Sequence, residues 1–236
     1  MSRRLDVIDL GRKEYGEVLE LQRALCRERV AGRRRDDLLL LVEHDPVVTL
    51  GRSTRTSSLP LAPLALEARG IPVVEVERGG DVTYHGPGQL VGYPIIHLSE
   101  HREDLHWYLR RLEGAMINAL AGFGVAAERV AGLTGVWTAG RKIASIGIHV
   151  KQWVTYHGFA LNVTTDLSGF DVIVPCGIAG VVMTSVAAET GLAHDGLWDE
   201  ARGRVVQAFS HELGFAETAW MAEDALRHLV ESAPTG

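Results

Sequence analysis

The chain has 236 residues, 46% of them apolar, enough for one large folded domain with a sizeable core. A formal net charge of −6 at pH 7 argues against a general nucleic-acid-binding protein. Cys26 and Cys176 are too few for a disulfide framework, and no apolar run is long enough to cross a bilayer, so we predict a soluble cytoplasmic protein without membrane association.

The first fifty residues predict strand, helix, strand, strand. Residues 5–10 alternate apolar and acidic side chains, which is typical of a half-buried strand. Residues 15–30 place their apolar side chains on one stripe of a helix, with Cys26 in the core. Residues 38–43 form a continuous apolar run, which predicts a strand covered on both faces, and residues 47–50 predict a second strand.

Two polar stretches interrupt this part of the chain. The arginines of residues 27–35 are either a solvated surface or a docking patch for an acidic protein partner. Residues 51–63 are rich in Ser, Thr, Arg and Pro and predict a mobile surface loop.

The remaining elements follow from apolar periodicity and from glycine positions. The pattern predicts strands at residues 72–76, 90–97, 125–130, 135–137, 142–150 and 158–163, helices at 64–69, 104–123, 198–213 and 219–230, and a turn at 166–170. This irregular alternation predicts an α/β (α+β) fold, a single domain spanning residues 1–230 with a mixed β-sheet flanked by helices. Residues 231–236 predict a frayed tail.

The glycine-rich segment 78–90 is the first candidate binding site. Its glycines let the backbone approach a ligand closely. It is not a dinucleotide loop, because the third glycine is missing and a strand follows, and it lacks the Gly-Lys-Ser/Thr ending of a phosphate loop. Arg78, Thr83, Tyr84 and His85 crowd polar groups into it, which favours a site over the alternative of an ordinary hairpin.

Cys176 lies between Pro175 and Gly177, on a turn that could present a thiol to a cleft. We expect the Gly177 N–H to be free for a developing oxyanion; the alternative is that Cys176 is a small buried side chain. Lys142 shares a predicted strand face with Ala144 and other apolar residues. It therefore either reaches out to solvent or pairs with a thiolate.

Histidines raise the question of a metal site. His97, His101 and His106 are close in sequence, but helical spacing does not apply to them and no cysteine joins them, so we predict no metal. His85 and His157 border glycine turns and are better candidates for site residues.

Together these segments resemble a known family. The resemblance rests on Arg78-Gly79-Gly80 with Thr83-Tyr84-His85-Gly86-Pro87-Gly88-Gln89-Leu90, Gly135-Val136-Trp137, Lys142-Ile143-Ala144-Ser145-Ile146-Gly147, His157-Gly158-Phe159-Ala160-Leu161-Asn162 and Pro175-Cys176-Gly177-Ile178. In this order the chain resembles the lipoyl(octanoyl) transferases. The resemblance implies the catalytic fold shared by biotin and lipoate ligases, and it implies no cofactor.

The resemblance also implies roles for individual residues. Cys176 corresponds to the nucleophile that takes the acyl chain as a thioester, and Lys142 to its basic partner. The implied substrate-binding residues are Arg78, Gly79, Gly80, Asp81, Val82, Thr83, Tyr84, His85, Ser145, Ile146, Gly147, Gly158, Phe159 and Ala160.

The implied reaction moves an octanoyl group from acyl carrier protein, through Cys176, to a lysine of apo lipoyl domains, those of 2-oxoacid dehydrogenases and of the glycine cleavage H protein. Three alternatives stay open. The chain could be an ATP-dependent lipoate or biotin ligase, a non-catalytic carrier-binding protein that uses residues 27–35, or a thiol hydrolase with His85 or His157 as base.

Overall fold

The structure is a computed structural model that describes residues 3–177, 180–192, 194 and 196–226, without the side chain of Cys176. Its strands are β1 Arg4–Lys13, β2 Asp37–His44, β3 Val47–Leu50, β4 Val73–Glu75, β5 Val82–His85, β6 Gln89–Ile95, β7 Val136–Thr138, β8 Arg141–Lys151, β9 Val154–Asn162 and β10 Glu217–Met221. Its helices are α1 Tyr15–Val30, α2 Pro63–Glu67, α3 Leu105–Ala121, α4 Val186–Thr190 and α5 Leu197–Leu213. Short 3-10 turns cover Thr56–Ser58, Leu98–Glu100, Leu167–Val172 and Pro175–Gly177.

The strands form two sheets that set up the site. The seven-stranded sheet has the order β10-β1-β2-β6-β9-β8-β7, and the three-stranded sheet has the order β4-β3-β5. In the large sheet β1 runs parallel to β2 and β10, whereas β2, β6, β9 and β8 pair antiparallel. The predicted mixed sheet flanked by helices is therefore confirmed.

Alternating side chains of the large sheet build a core on each face. Leu39 and Leu41 of β2 belong to the core that also contains residues of α3 and α5. Leu38 and Leu40 belong to the core that contains residues of α1, including Cys26. Cys26 is 2% exposed, which confirms its prediction as a core residue.

Two predicted elements differ from the structure, one of them wholly and one in part. Residues 125–130 form no strand: only an isolated bridge joins Glu128 to Trp137. The predicted helix 219–230 is contradicted only at its start, where residues 219–221 belong to β10, parallel to β1; residues 224–226 are helical, and residues 227–230 and the predicted tail fall outside the described residues. β10 forms because Leu213 and Phe215 pack into the core and bring the chain that follows them alongside the edge strand β1, with which it pairs.

The segment 51–63 is not simply a surface loop. The N–H groups of Arg52 and Ser53 donate to the carbonyls of Arg78 and Gly80, at 3.0 Å each. Ser58 is 1% exposed. The segment is therefore tied to the glycine-rich segment, a long-range contact that local composition does not reveal.

The arginines of residues 27–35 are largely paired within the chain. Ion pairs join Arg29 to Asp37 and Glu100, Arg33 to Glu28, and Arg34 to Asp6. Only Arg27 and Arg35 of this group lack a described partner and stay exposed, which leaves little of the docking patch considered above. None of the described helices is both long and apolar enough to span a bilayer.

Candidate active site

A cavity of about 260 Å³ lies between the two sheets. Its wall is built from β5, β6, β8 and β9, the start of α1 and the segment before β7. The lining residues are Tyr15, Arg78, Gly80, Asp81, Val82, Thr83, His85, Val91, Tyr93, Gly132, Leu133, Thr134, Trp137, Lys142, Ser145, Ile146, Gly147, His157, Gly158, Phe159 and Ala160. Segments distant in the chain thus meet at one place, as the motifs predicted.

Arg78 braces the glycine-rich segment from within. Its guanidinium donates to the carbonyls of Asp81 at 2.7 Å, of Gly79 at 3.2 Å and of Thr49 at 2.7 Å. Such bonds from a charged group to backbone carbonyls fix the loop. Arg78 therefore both lines the cavity and holds the backbone of the cavity wall in position.

Lys142 reaches the cavity because β8 contains an irregularity. Val136 of β7 pairs with Ala144, and the next residue, Trp137, pairs with Lys142, so β8 carries one extra residue here. A bulge of this kind turns a side chain to the other face. Lys142 therefore lines the cavity with Ser145 and Gly147. It does not lie, as predicted, on the strand face of the apolar residues around Ala144.

The ammonium group of Lys142 is buried and closely surrounded by protein atoms. Lys142 is 2% exposed, and its Nζ donates to the Thr134 carbonyl at 3.2 Å. The Nζ also lies 5.6 Å from the centroid of the Trp137 ring. Gly135 leaves space for this side chain: a Cβ there would come within 2.7 Å of Lys142 Cε.

The turn that carries Cys176 borders the same cavity. A Cβ on Gly177 would collide with Asp81 Oδ2, so the turn packs directly on a residue of the cavity wall. Beyond the turn, the chain pairs with the backbone of Lys142: Lys142 N–H donates to Val182 at 2.8 Å, and Thr184 N–H donates to Lys142 at 2.9 Å. The backbone that follows Cys176 is thus joined to the wall that holds Lys142.

One expectation about this turn is wrong. Gly177 has φ +64, the left-handed conformation that favours glycine, but its N–H donates to the Val174 carbonyl at 2.9 Å and is not free for an oxyanion. The N–H of Gly80 is a better candidate. Gly80 lines the cavity, and its N–H meets no acceptor within the part of the chain that the structure describes.

The two candidate histidines are buried and neutral. Burial, aided by the neighbouring His44, lowers the pKa of His85 to about 3. Burial and the nearby Arg78 also lower the pKa of His157. Because both side chains resist protonation, they are weak bases, which argues against the cysteine–histidine hydrolase.

The low pKa of His85 makes stability depend on pH. The unfolded chain binds a proton at His85 near pH 6.5, whereas the folded chain does not, so stability falls as pH drops below 6.5 towards 3. We expect the free energy of unfolding to lose about 1.4 kcal/mol per pH unit from this group. Urea unfolding at pH 7 and pH 5 checks it: His85→Gln should show a smaller loss, and an equal loss would contradict this assignment.

Not every predicted site residue lines the cavity. Thr83 and His85 of β5 line the cavity, and so does Val82 at the start of the strand, whereas the Tyr84 ring packs against Phe170, 5.5 Å between ring centroids. Gly79 lies behind the lining, its N–H bonded to the Ile148 carbonyl. Tyr84 and Gly79 therefore lie outside the cavity lining, and their part in substrate binding stays a prediction.

Sequence reasoning also missed part of the wall. Tyr15 and Tyr93 close one end of the cavity, and Leu133 and Thr134 form the side beside Lys142. Tyr15 is the first residue of a well-predicted helix, and its periodicity indicated only burial. Among the described residues, no cluster of His, Cys, Asp and Glu could hold a metal ion.

Comparison with known proteins agrees with this geometry. The family described as "Lipoyl protein ligase A/B catalytic domain" matches residues 14–210. An octanoyltransferase of Gloeobacter violaceus is 51% identical over 187 residues, covering 79% of this chain and 82% of that protein. An octanoyltransferase of Chloroflexus aggregans is 51% identical over 194 residues, covering 81% and 87%.

A bi-partite lipoate protein ligase from Thermoplasma acidophilum superposes with a TM-score of 0.69 over 98% of this chain and 93% of that chain. At 19% identity this likeness shows the fold alone, and it confirms the predicted lipoate-ligase-like architecture. Because the family match covers most of the chain and the octanoyltransferases share half of the aligned residues, the chain belongs to the octanoyltransferases of the lipoyl protein ligase A/B catalytic domain family.

Proposed function

We propose that the protein transfers an octanoyl group from an acyl-carrier-protein thioester to Cys176, and from Cys176 to a lysine of an apo lipoyl domain. The observation that carries this proposal is the buried ammonium group of Lys142 at a cavity on which the Cys176 turn packs. The names of the relatives support the octanoyl group as the cargo.

The first step exchanges one thioester for another. The Cys176 thiolate attacks the carrier thioester, a C–S bond forms, and the carrier thiolate leaves and takes a proton from Lys142. Donor and product are both thioesters, so the exchange is nearly balanced in energy and needs no ATP. A cation near the cysteine favours the thiolate, which is the attacking species.

The second step uses the same two groups in reverse. The acceptor lysine must lose its proton before its nitrogen can attack the Cys176 thioester. Lys142, left neutral by the first step, takes that proton. As the new amide forms, the Cys176 thiolate leaves and the attacking nitrogen loses its second proton to solvent. Thiolate and ammonium are then both restored. The Gly80 N–H is the proposed donor to the oxyanion in each step.

The cavity suits an unbranched acyl chain. Val91, Leu133, Phe159 and Ala160 give it an apolar lining, and each buried CH₂ contributes about 0.8 kcal/mol, so chain length is read without a polar code. We propose the lipoyl domains of 2-oxoacid dehydrogenases and of the glycine cleavage H protein as acceptors. A thiolate nucleophile needs a reducing compartment, which supports the cytoplasm as the site of action.

Mass spectrometry after incubation with octanoyl carrier protein tests the proposal. One octanoyl adduct on Cys176 is expected, and a second incubation with an apo lipoyl domain should move it to that domain. Cys176→Ala should form no adduct, whereas Cys26→Ala, a change at the other cysteine, should form it. Transfer at the native rate by Cys176→Ala would refute the thioester route, and a requirement for ATP would favour a ligase.

A further inference from the structure

Ser58 holds the Cys176 turn from a segment that no functional motif covers. Its carbonyl accepts the Val174 N–H at 2.9 Å, at the entrance to the turn Pro175–Gly177. Its hydroxyl donates to Asp81 Oδ2 at 2.7 Å. With 1% of its surface exposed, Ser58 joins the cysteine turn to the cavity wall by two bonds of opposite direction.

Asp81 completes this connection at the other end of the turn. Its Oδ1 accepts the Val82 N–H at 2.7 Å, and its carbonyl accepts Arg78, so the residue is fixed in the glycine-rich segment. Its Oδ2 packs on the Cα of Gly177, where a Cβ would collide with it and would lie 3.1 Å from Ser58 Oγ. The Asp81 carboxylate therefore fixes the position of Gly177, the residue directly after Cys176.

The arrangement also has an electrostatic consequence. A carboxylate near a cysteine disfavours the thiolate, because like charges repel. The Ser58 hydroxyl donates to the oxygen of Asp81 that faces the turn, and a hydrogen bond of this kind is stabilised by the carboxylate charge. The donated hydrogen bond offsets part of the negative charge on that oxygen. Asp81 can therefore support the turn with less repulsion of the thiolate.

We propose that Ser58, acting with Asp81, is a positioning residue that sets both the place of the Cys176 turn against the cavity and the ease with which its thiol ionises. The inference rests on the proposed function for its importance in transfer. Residue 58 lies in a segment that contains none of the motifs on which the proposed function depends.

Ser58→Ala tests the proposal, with Ser57→Ala as the matched control. Ser57 is the exposed neighbour in the same 3-10 turn, so its change removes a hydroxyl without touching Val174 or Asp81. Two quantities are measured: the rate of Cys176 acylation by a small octanoyl thioester at increasing donor concentration, and the rate of Cys176 alkylation by iodoacetamide at increasing pH.

Ser58→Ala should lower the maximal acylation rate by about 10-fold or more, because a small displacement of a reacting group is enough for such a loss. The half-saturating donor concentration should stay within about twofold of the native value. The pH midpoint of alkylation should move upward. Ser57→Ala should match the native protein in both. A protein in which Ser58 merely supported the fold would lose thermal stability without moving the alkylation midpoint.

Equal acylation and equal midpoints in the two variants would overturn the proposal. If Ser58→Ala does not fold, Asp81→Asn replaces it: asparagine still accepts the Ser58 bond but lacks the charge, so the midpoint should move downward, and an unchanged midpoint would overturn the proposal. If the native protein forms no octanoyl adduct, the proposed function fails, whereas the alkylation profiles still decide the role of Ser58.

Discussion

Lys142→Ala is expected to slow octanoyl transfer by about 10²–10⁴-fold, the range typical of a lost general acid–base group. The ammonium group is buried at the cavity and, as proposed, supplies and removes the proton in both steps. The alkylation midpoint of Cys176 should also rise, because the thiolate loses its neighbouring cation.

Arg141→Ala is the control for Lys142→Ala. Arg141 precedes Lys142 on β8 and carries the same charge, but its guanidinium is half exposed and pairs with Glu189 at 2.8 Å, away from the cavity. Arg141 does not line the cavity and does not touch Lys142 Nζ, so this variant should transfer the octanoyl group at nearly the native rate. If both variants lost activity equally, the effect would be one of overall charge and not of the proton carried by Lys142.

Gly135→Ala is expected to reduce transfer by about 10²-fold, although residue 135 makes no contribution of its own to the chemistry. Its φ of +121 is strained for any residue but glycine. A Cβ would also meet the Ala144 carbonyl and Lys142 Cε, each at 2.7 Å, and so push the lysine from its place against Thr134.

Gly140→Ala separates the two causes. Gly140 has φ +76 in the turn between β7 and β8, and a Cβ there would meet no atom within 4 Å. Its alanine variant should lose about 1–2 kcal/mol of stability from backbone strain and keep its transfer rate. Single-turnover acylation and urea unfolding of both variants check this. A Gly135→Ala protein that is as active as Gly140→Ala would contradict the proposed need for an exactly placed lysine.

The elements with strong local signals could be predicted from sequence. The apolar stripe of α1 gave its bounds, residues 15–30, and α3 begins after Asp104, whose side chain accepts the Trp107 N–H. These elements follow from periodicity and helix capping, which act within a few residues. By contrast, β10 pairs with a strand more than two hundred residues away in the sequence, and its own residues do not specify that choice.

The chemical groups of the site can be identified from the amino-acid sequence alone: one thiol on a Pro-Cys-Gly turn, one lysine on a strand and a glycine-rich segment. The way in which these groups come together depends on contacts between distant segments. The extra residue in β8 turns Lys142 to the cavity, and Ser58 fastens the cysteine turn to Asp81. The reason is physical: a side chain's type is a local property, whereas the face it occupies depends on strand register and on contacts between distant segments.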